Sequence, residues 1–161
     1  MEALRFGAFP RSGSHFFTNI TKCKWLGHTI HSLEKEQNVV VSIRNPLECV
    51  PSWVVFTKDS RPDRTEKILE WYCAYYESCK KFNVFIISFE QLVKEPMFCI
   101  NHVCNFYGLG QVENIEFDLS TDFHIPTKDK SDYEVIINEM IKSPSYSKAM
   151  ELFDELAVPI V

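Results

Sequence analysis

Apolar residues follow two patterns along this chain, and the alternation between the patterns predicts the fold. Val39 to Ile43 is a short run of mostly β-branched residues, which is typical of a strand buried on both faces of a parallel sheet. Leu4 to Phe9, Leu26 to His31 and Val84 to Ser88 are the other predicted strands. Apolar residues at helical spacing predict helices over His15–Lys24, Leu47–Thr57, Thr65–Phe82, Glu90–Lys94, Pro96–Tyr107, Ser131–Lys142 and Ser145–Leu156.

The order of these elements is that of an α/β protein. Strands that are followed by helices form right-handed crossovers, and such crossovers build a parallel sheet. We therefore expect a single domain over residues 1–161 with a P-loop-like, three-layer fold. In this fold helices flank a central, mostly parallel sheet of four to five strands. Residues 108–130 are expected to be mostly loop.

Acidic residues outnumber basic ones, and the formal net charge is −5. This balance is unfavourable for general binding to nucleic acid. The longest apolar runs are far shorter than a membrane-spanning helix, so no membrane span is expected. Six cysteines occur without a Cys-x-x-Cys pair, and the start of the sequence lacks a signal-peptide pattern. These features predict buried, reduced thiols in a cytoplasmic protein.

A polar turn joins the first predicted strand to the first helix, in the sequence Phe9-Pro10-Arg11-Ser12-Gly13-Ser14-His15-Phe16. Such a turn directs backbone N–H groups at one point, and the helix dipole adds attraction for an anion. Gly13 permits close backbone approach, Ser14 can cap the helix, and Arg11 adds a fixed positive charge. The motif predicts phosphate or sulfate binding, with an ordinary strand–helix turn as the alternative.

A second polar motif follows the buried strand, where Arg44-Asn45-Pro46 starts a turn and Ser52 lies eight positions after Arg44. Arginine can bind a phosphate bidentately and serine can donate one more hydrogen bond. The alternative is an arginine that pairs with Glu48. A small P-loop-like kinase fits less well, because no lysine follows Gly13 and the strand ends in Arg44 where a magnesium-binding aspartate would stand.

Together the motifs resemble those of the sulfotransferases that use 3′-phosphoadenosine 5′-phosphosulfate (PAPS) and release 3′-phosphoadenosine 5′-phosphate (PAP). Arg11-Ser12-Gly13-Ser14 is similar to their 5′-phosphosulfate loop, and Arg44-Asn45-Pro46 with Ser52 is similar to their 3′-phosphate motif. A third segment, Ser88 to Pro96, resembles the segment that follows the family's fourth strand. The resemblance covers Leu4 to Gly108.

The resemblance implies a role for each matching residue around the 5′-phosphosulfate. Ser12, Gly13 and Ser14, with His15 in the same turn, are expected to hold this group through backbone and hydroxyl donors. Arg11 is expected to stabilise charge on the bridging oxygen as the sulfuryl group leaves. No metal ion is expected in this reaction.

Around the rest of the nucleotide, the resemblance implies that Arg44 and Ser52 bind the 3′-phosphate. Phe16 stands where the family often has an aromatic residue against the adenine, and a core position is the alternative. Phe89, where the family usually has tyrosine, is a further expected nucleotide contact, and Gln91 replaces the family's aspartate. Lys128 and Lys130 are the best counterparts of the basic loop that closes over the 3′-phosphate, with a solvated charged loop as the alternative.

Transfer to an acceptor hydroxyl or amine requires a base, which in many members is a histidine at the end of the second strand. His31 ends the predicted strand, so we predict His31 as the catalytic base, with His28 and Glu34 as further candidates. The resemblance thus implies in-line sulfuryl transfer. A nucleotide-binding module without activity is the alternative.

The short connection after Ser14 predicts an open acceptor site, suited to a large or exposed acceptor. A small molecule, a carbohydrate or another exposed acceptor is the expected partner. A monomer or weak homodimer is expected. Lys130 to Glu139 resembles a dimerisation motif of cytosolic members, with Glu134-Val135 in place of Thr-Val.

Overall fold

The central sheet contains four parallel strands in the computed structural model of the chain, which describes residues 3–113 and 130–161. Their order across the sheet is β2-β1-β3-β4. The strands are β1 (Arg5–Ala8), β2 (Lys24–Trp25), β3 (Val39–Ile43) and β4 (Val84–Ser88). The parallel α/β fold predicted from the sequence is confirmed.

Helices fill the connections between the strands and follow the last of them. They are α1 (Ser14–Thr21), α2 (Ile30–Leu33), α3 (Pro46–Thr57), α4 (Arg64–Cys79), α5 (Phe89–Lys94), α6 (Pro96–Phe106), α7 (Lys130–Ile141) and α8 (Tyr146–Leu156). Most boundaries lie within a few residues of the predicted ones, since the amphipathic pattern and the capping residues are strong signals. Gly108, for example, has φ 66° just after α6, as a helix C-cap requires.

The predicted second strand is wrong in its position. Strand β2 comprises only Lys24 and Trp25, which pair with Arg5 and Phe6 of β1. Gly27 then takes φ 92°, a conformation that turns the chain out of the sheet. Beyond this turn Ile30–Leu33 forms helix α2, so His31 lies on a helix and not at a strand end.

Buried side chains form one core on each face of the sheet. In β3, Val39, Val41 and Ile43 belong to the core beneath α3, α4, α7 and α8, while Val40 belongs to the core beneath α1, α5 and α6. This division follows from the alternation of side chains along a strand. The arrangement is the predicted set of three layers.

The carboxyl ends of the strands place three polar segments at one edge of the sheet. Residues 9–13 follow β1, Arg44 follows β3, and Phe89 follows β4 directly. In parallel sheets this edge is the usual location of a ligand. No helix among residues 3–113 and 130–161 is long and apolar enough to cross a membrane.

Candidate active site at the carboxyl edge of the sheet

The loop after β1 is a tight turn that ends at the N-terminus of α1. Arg11 and Gly13 both have positive φ, 63° and 90°, and the Ser12 backbone N–H donates to the Phe9 carbonyl at 3.1 Å. Gly13 is the N-cap of α1, without a side-chain cap, so the predicted capping role of Ser14 is wrong. The first N–H groups of a helix have no acceptors within the helix. Those of Ser14 and His15 therefore suit an anion placed at this terminus.

Gly13 is required at its position for two reasons. A φ of 90° is unfavourable for any residue with a Cβ atom. A Cβ atom at Gly13 would also collide with the ring of Phe89. Phe89 in turn contacts the ring of Phe16 edge-to-face, with centroids 6.4 Å apart, and both side chains are buried. The proposed contacts of Phe16 and Phe89 with the nucleotide stay predictions.

Ser12 is fully buried beneath the loop. Its hydroxyl lies beside the Cys49 thiol and the Tyr76 hydroxyl. The Ser42 hydroxyl donates to the Ser12 carbonyl, and the Tyr76 hydroxyl donates to the Ser42 carbonyl at 2.8 Å. This chain of contacts fixes the loop to β3 and α4. The contact of Ser12 with the phosphosulfate stays a prediction.

The side chain of Arg11 joins the first motif to the second. Its Nε donates to the Ser52 hydroxyl at 2.9 Å, and its guanidinium lies over the Phe56 ring, 5.2 Å from the centroid. The Arg11 carbonyl accepts a hydrogen bond from Arg44 Nη1 at 3.0 Å. The structure therefore brings Arg11, Arg44 and Ser52 together at this edge of the sheet. Their roles in nucleotide binding stay predictions.

Burial lowers the pKa of Arg11, and the nearby positive charge of Arg44 lowers it further. The electrostatic interaction with Tyr133 on α7 raises the pKa of Arg11. Arginine nevertheless stays protonated in proteins. The positive charges of Arg11 and Arg44 therefore repel each other, and a bound anion would relieve that repulsion.

Arg44 extends from the end of β3 between an acidic and an aromatic side chain. Nη2 is 3.3 Å from Oε2 of Glu48, and the guanidinium lies over the Phe89 ring, 4.8 Å from the centroid. The Tyr72 hydroxyl donates to the Arg44 carbonyl at 3.0 Å. The ion pair with Glu48 is thus present, but most of the Glu48 side chain is exposed, so water weakens the pair.

Polar side chains of the segment after β4 contact the turn that follows Arg44 and the end of the chain. Glu90 accepts hydrogen bonds from the Asn45 backbone N–H at 3.4 Å and from the Ser88 hydroxyl at 2.9 Å. The Gln91 side-chain amide exchanges two hydrogen bonds with the backbone of Ile160, at 2.9 and 2.8 Å. Gln91 therefore holds the segment after α8 against α5, which a carboxylate could not do in both directions.

The three candidate bases lie at different places. His28 is at the carboxyl edge, where its Nδ1 is 2.7 Å from the carbonyl of Ala8, the last residue of β1. His31 is exposed on α2. Glu34 lines an open cavity of about 440 Å³ with Asn38 and Asn83, which precede β3 and β4, so it lies at the opposite edge.

Several residues at this edge carried no signal of a site in the sequence. Tyr72 and Tyr76 lie within the predicted helix Thr65–Phe82, and in the structure their hydroxyls donate to the carbonyls of Arg44 and Ser42 at the end of β3. Trp53 and Phe56 flank the site on α3. In the sequence, only their position near Ser52 indicates a place beside the site. Only packing between elements assigns such residues to a site.

The basic and dimerisation motifs of the C-terminal region lie partly outside the described residues. Lys128 falls in the undescribed segment, and Lys130 is the first residue of α7. Within α7, Glu139 pairs with Arg64 of α4 at 2.8 Å and Val135 is exposed. Dimerisation through Lys130 to Glu139 stays a prediction.

Comparison with known proteins adds independent information on the family. No curated protein matches the sequence. The fold is similar to that of mouse sulfotransferase SULT7A1, crystallised as a complex with PAP. The TM-score is 0.53 at 14% sequence identity, over 96% of this chain and 84% of that chain. The profile of the sulfotransferase domain matches residues 27–124, more than half of the chain, and this span contains Arg44, Ser52 and Phe89. The chain therefore belongs to the sulfotransferase family, as its motifs predicted.

Proposed function

We propose that this chain transfers the sulfuryl group of PAPS to an acceptor hydroxyl or amine at the carboxyl edge of its sheet. The observation that carries the proposal is the meeting of Arg11 and Arg44, from two strand ends, beside the N-terminus of α1. These groups offer two fixed positive charges and a set of backbone N–H donors. The donor set fits a nucleotide with two separate anionic groups, and the similar mouse enzyme was crystallised with such a nucleotide.

In this proposal the two arginines have different tasks. Arg44 and Ser52 hold the 3′-phosphate, and Ser14, His15 and Arg11 hold the 5′-phosphosulfate. PAPS supplies the sulfuryl group. Arg11 stabilises the negative charge that remains on the phosphate oxygen as the sulfur–oxygen bond breaks, and the N-terminus of α1 adds to this stabilisation. Since arginine stays charged, this stabilisation does not depend on pH near neutrality.

We propose His28 as the base in place of His31. A carbonyl oxygen can only accept a hydrogen bond, so the contact with Ala8 requires a proton on Nδ1 of His28. In the neutral imidazole Nε2 is then an acceptor, which can take the proton of the acceptor hydroxyl as its oxygen bonds to sulfur. The contact also fixes the imidazole to the strand that precedes Arg11.

The family assignment decides against the small-kinase alternative. We further propose a single domain with a cytoplasmic location, which the six buried cysteine thiols support. The acceptor is a small molecule, a carbohydrate or another exposed group, and the protein acts as a monomer or weak homodimer.

The decisive experiment is calorimetric titration of the protein with PAP, with ADP and with ATP plus Mg²⁺. We expect the affinity for PAP to be well above the affinity for ADP. Arg44→Ala should weaken PAP binding about 10- to 100-fold, because it removes a charged hydrogen-bonding partner. Lys81→Ala is the matched control, because Lys81 is an exposed cation at the opposite edge of the sheet. Preference for ATP–Mg²⁺ over PAP would refute the proposal.

The role of His28 is tested by the pH dependence of kcat/KM with any acceptor that is turned over. We expect His28→Gln to lower kcat about 100-fold or more and to remove the acidic limb of the profile, as loss of a general base does. His31→Gln is the control and should retain the wild-type profile. PAP binding without turnover on any acceptor would instead identify a nucleotide-binding module.

A further inference from the structure

The peptide unit that joins Arg44 to Asn45 is held from both sides by side chains of other elements. Its carbonyl oxygen accepts a hydrogen bond from the Tyr72 hydroxyl on α4 at 3.0 Å. Its N–H donates to Oε1 of Glu90 on α5 at 3.4 Å. The carbonyl and the N–H of a planar trans peptide point in opposite directions. The two hydrogen bonds therefore fix the orientation of the peptide plane.

Arg44 needs this support because it lies just beyond the sheet. The pairing of β3 with β4 ends at Ile43, opposite Ser88, and helix α3 begins at Pro46. The Arg44 carbonyl therefore lies between a strand and a helix, where a backbone acceptor needs a donor from a side chain. The Tyr72 hydroxyl supplies that donor.

Packing sets the position of the Tyr72 hydroxyl. The Tyr72 side chain is fully buried, and its ring centroid lies 5.2 Å from that of Phe9 and 4.6 Å from that of Tyr76. Burial raises the pKa of Tyr72, so the phenol keeps its proton and donates. The Cys49 thiol lies 3.9 Å from the Arg44 carbonyl, but a thiol is only a weak donor.

The fixed peptide restricts the place from which the Arg44 side chain extends. The carbonyl carbon and Cβ are bonded to the same Cα atom, so the orientation of the carbonyl limits the direction of the side chain. From there Arg44 Nη1 donates to the Arg11 carbonyl at 3.0 Å, and the guanidinium lies over the Phe89 ring. A guanidinium that binds a phosphate through two hydrogen bonds tolerates little displacement.

We propose that Tyr72 is a positioning residue for the 3′-phosphate, because it holds the main chain of Arg44. Glu90 is its weaker partner on the other side of the same peptide. Both side chains act through Arg44 and not by contact with the nucleotide. The inference rests on the proposed function, since it concerns the site that we propose for PAP.

Tyr72→Phe tests the inference, since it removes the hydroxyl and keeps the ring. We expect calorimetry to show PAP binding about 3- to 10-fold weaker, the fold-change that corresponds to one hydrogen bond. Tyr107→Phe is the matched control, because the Tyr107 hydroxyl donates to the carbonyl of Val39 at the other end of β3, at 2.6 Å. The control should lower the urea midpoint to a similar extent and leave PAP affinity unchanged.

A double-mutant cycle shows whether Tyr72 acts through Arg44. In the Arg44→Ala background, Tyr72→Phe should have no further effect on PAP affinity, because the side chain that Tyr72 positions is absent. Independent contributions would instead add.

Glu90 is tested by two variants that both lack its charge. Glu90→Gln keeps an acceptor for the Asn45 N–H, and Glu90→Ala does not. We expect Glu90→Ala to bind PAP about twofold more weakly than Glu90→Gln, as a long hydrogen bond contributes little.

Three results would each overturn the role of Tyr72. They are unchanged PAP affinity in Tyr72→Phe, an equal loss of affinity in Tyr107→Phe, and additive losses in the double variant. Failure of the wild-type protein to bind PAP would instead refute the proposed function.

Discussion

Arg11 Nε donates a hydrogen bond to the hydroxyl of Ser52 at 2.9 Å, although the two residues are 41 positions apart in the sequence. The contact joins the loop after β1 to the helix after β3. It therefore couples the group that we expect to stabilise the leaving phosphate to a group that we expect to bind the 3′-phosphate.

Ser52→Ala should lower kcat about tenfold or less. The substitution removes the acceptor of Arg11 Nε, and a hydrogen bond that involves a charged group contributes about 1.5–3 kcal/mol, part of which water replaces in a half-buried site. Steady-state kinetics with saturating PAPS measures the effect. Ser52→Thr keeps the hydroxyl and is the control, so an equal loss in both variants would argue against this hydrogen bond as the cause.

Arg11→Ala should lower kcat far more than it weakens PAP binding, whereas Arg44→Ala should do the reverse. Arg11 is expected to act mainly as charge develops, and interactions made only in the transition state appear in kcat. Calorimetry with PAP and steady-state kinetics on both variants separate the two effects. Equal losses of PAP affinity would contradict this division of roles.

Glu48→Gln should increase PAP affinity about two- to fivefold. The Glu48 carboxylate lies 3.3 Å from Arg44 and competes with an incoming phosphate, and exposed pairs of this kind contribute only about 0.3–0.5 kcal/mol to stability. Titration with PAP at low and at physiological salt measures the change, which salt should reduce. Weaker PAP binding would mean that Glu48 orients Arg44 instead of competing for it.

Gly13→Ala should lower the free energy of unfolding by about 2–4 kcal/mol, because it combines an unfavourable φ with a collision. Gly108→Ala is the matched control, since its φ is 66° but a Cβ atom there would meet nothing within 4 Å. The control should cost only about 1–2 kcal/mol. Urea unfolding of both variants measures the difference, and equal losses would exclude the Phe89 contact as a constraint on Gly13.

The free energy of unfolding should fall as the pH rises from about 9 towards 12. Burial raises the pKa of Cys49 from 9.0 to about 12, so above pH 9 the unfolded chain releases a proton that the folded chain retains. Cys79 behaves similarly, with a pKa of about 12. Urea midpoints across this range measure the loss. In Cys49→Ala the decline should be shallower, and an unchanged slope would contradict the contribution of Cys49.

Local pattern was sufficient for most of the elements and for the position of the two polar motifs after β1 and β3. The β-branched run at Val39 to Ile43 became the central strand, and the amphipathic repeats became α3, α4 and α6. It was insufficient for the second strand, because two residues of pairing in β2 leave hardly any trace in a hydrophobic pattern. His31 was chosen as the base because it ended that predicted strand, and the structure places it on α2 instead.

The sequence by itself determined the α/β fold, the edge of the sheet that carries the site, and the presence of Arg11 and Arg44 at two strand ends. These features depend on residues that are close together in the chain, where periodicity and turn chemistry act. Tertiary structure decided the rest. Packing of α3 on α4 brought Trp53 against Trp71. The folded arrangement also set Ser52 against Arg11 and His28 against the end of β1. Such contacts join residues distant in sequence, so only the folded arrangement of the layers could bring them together.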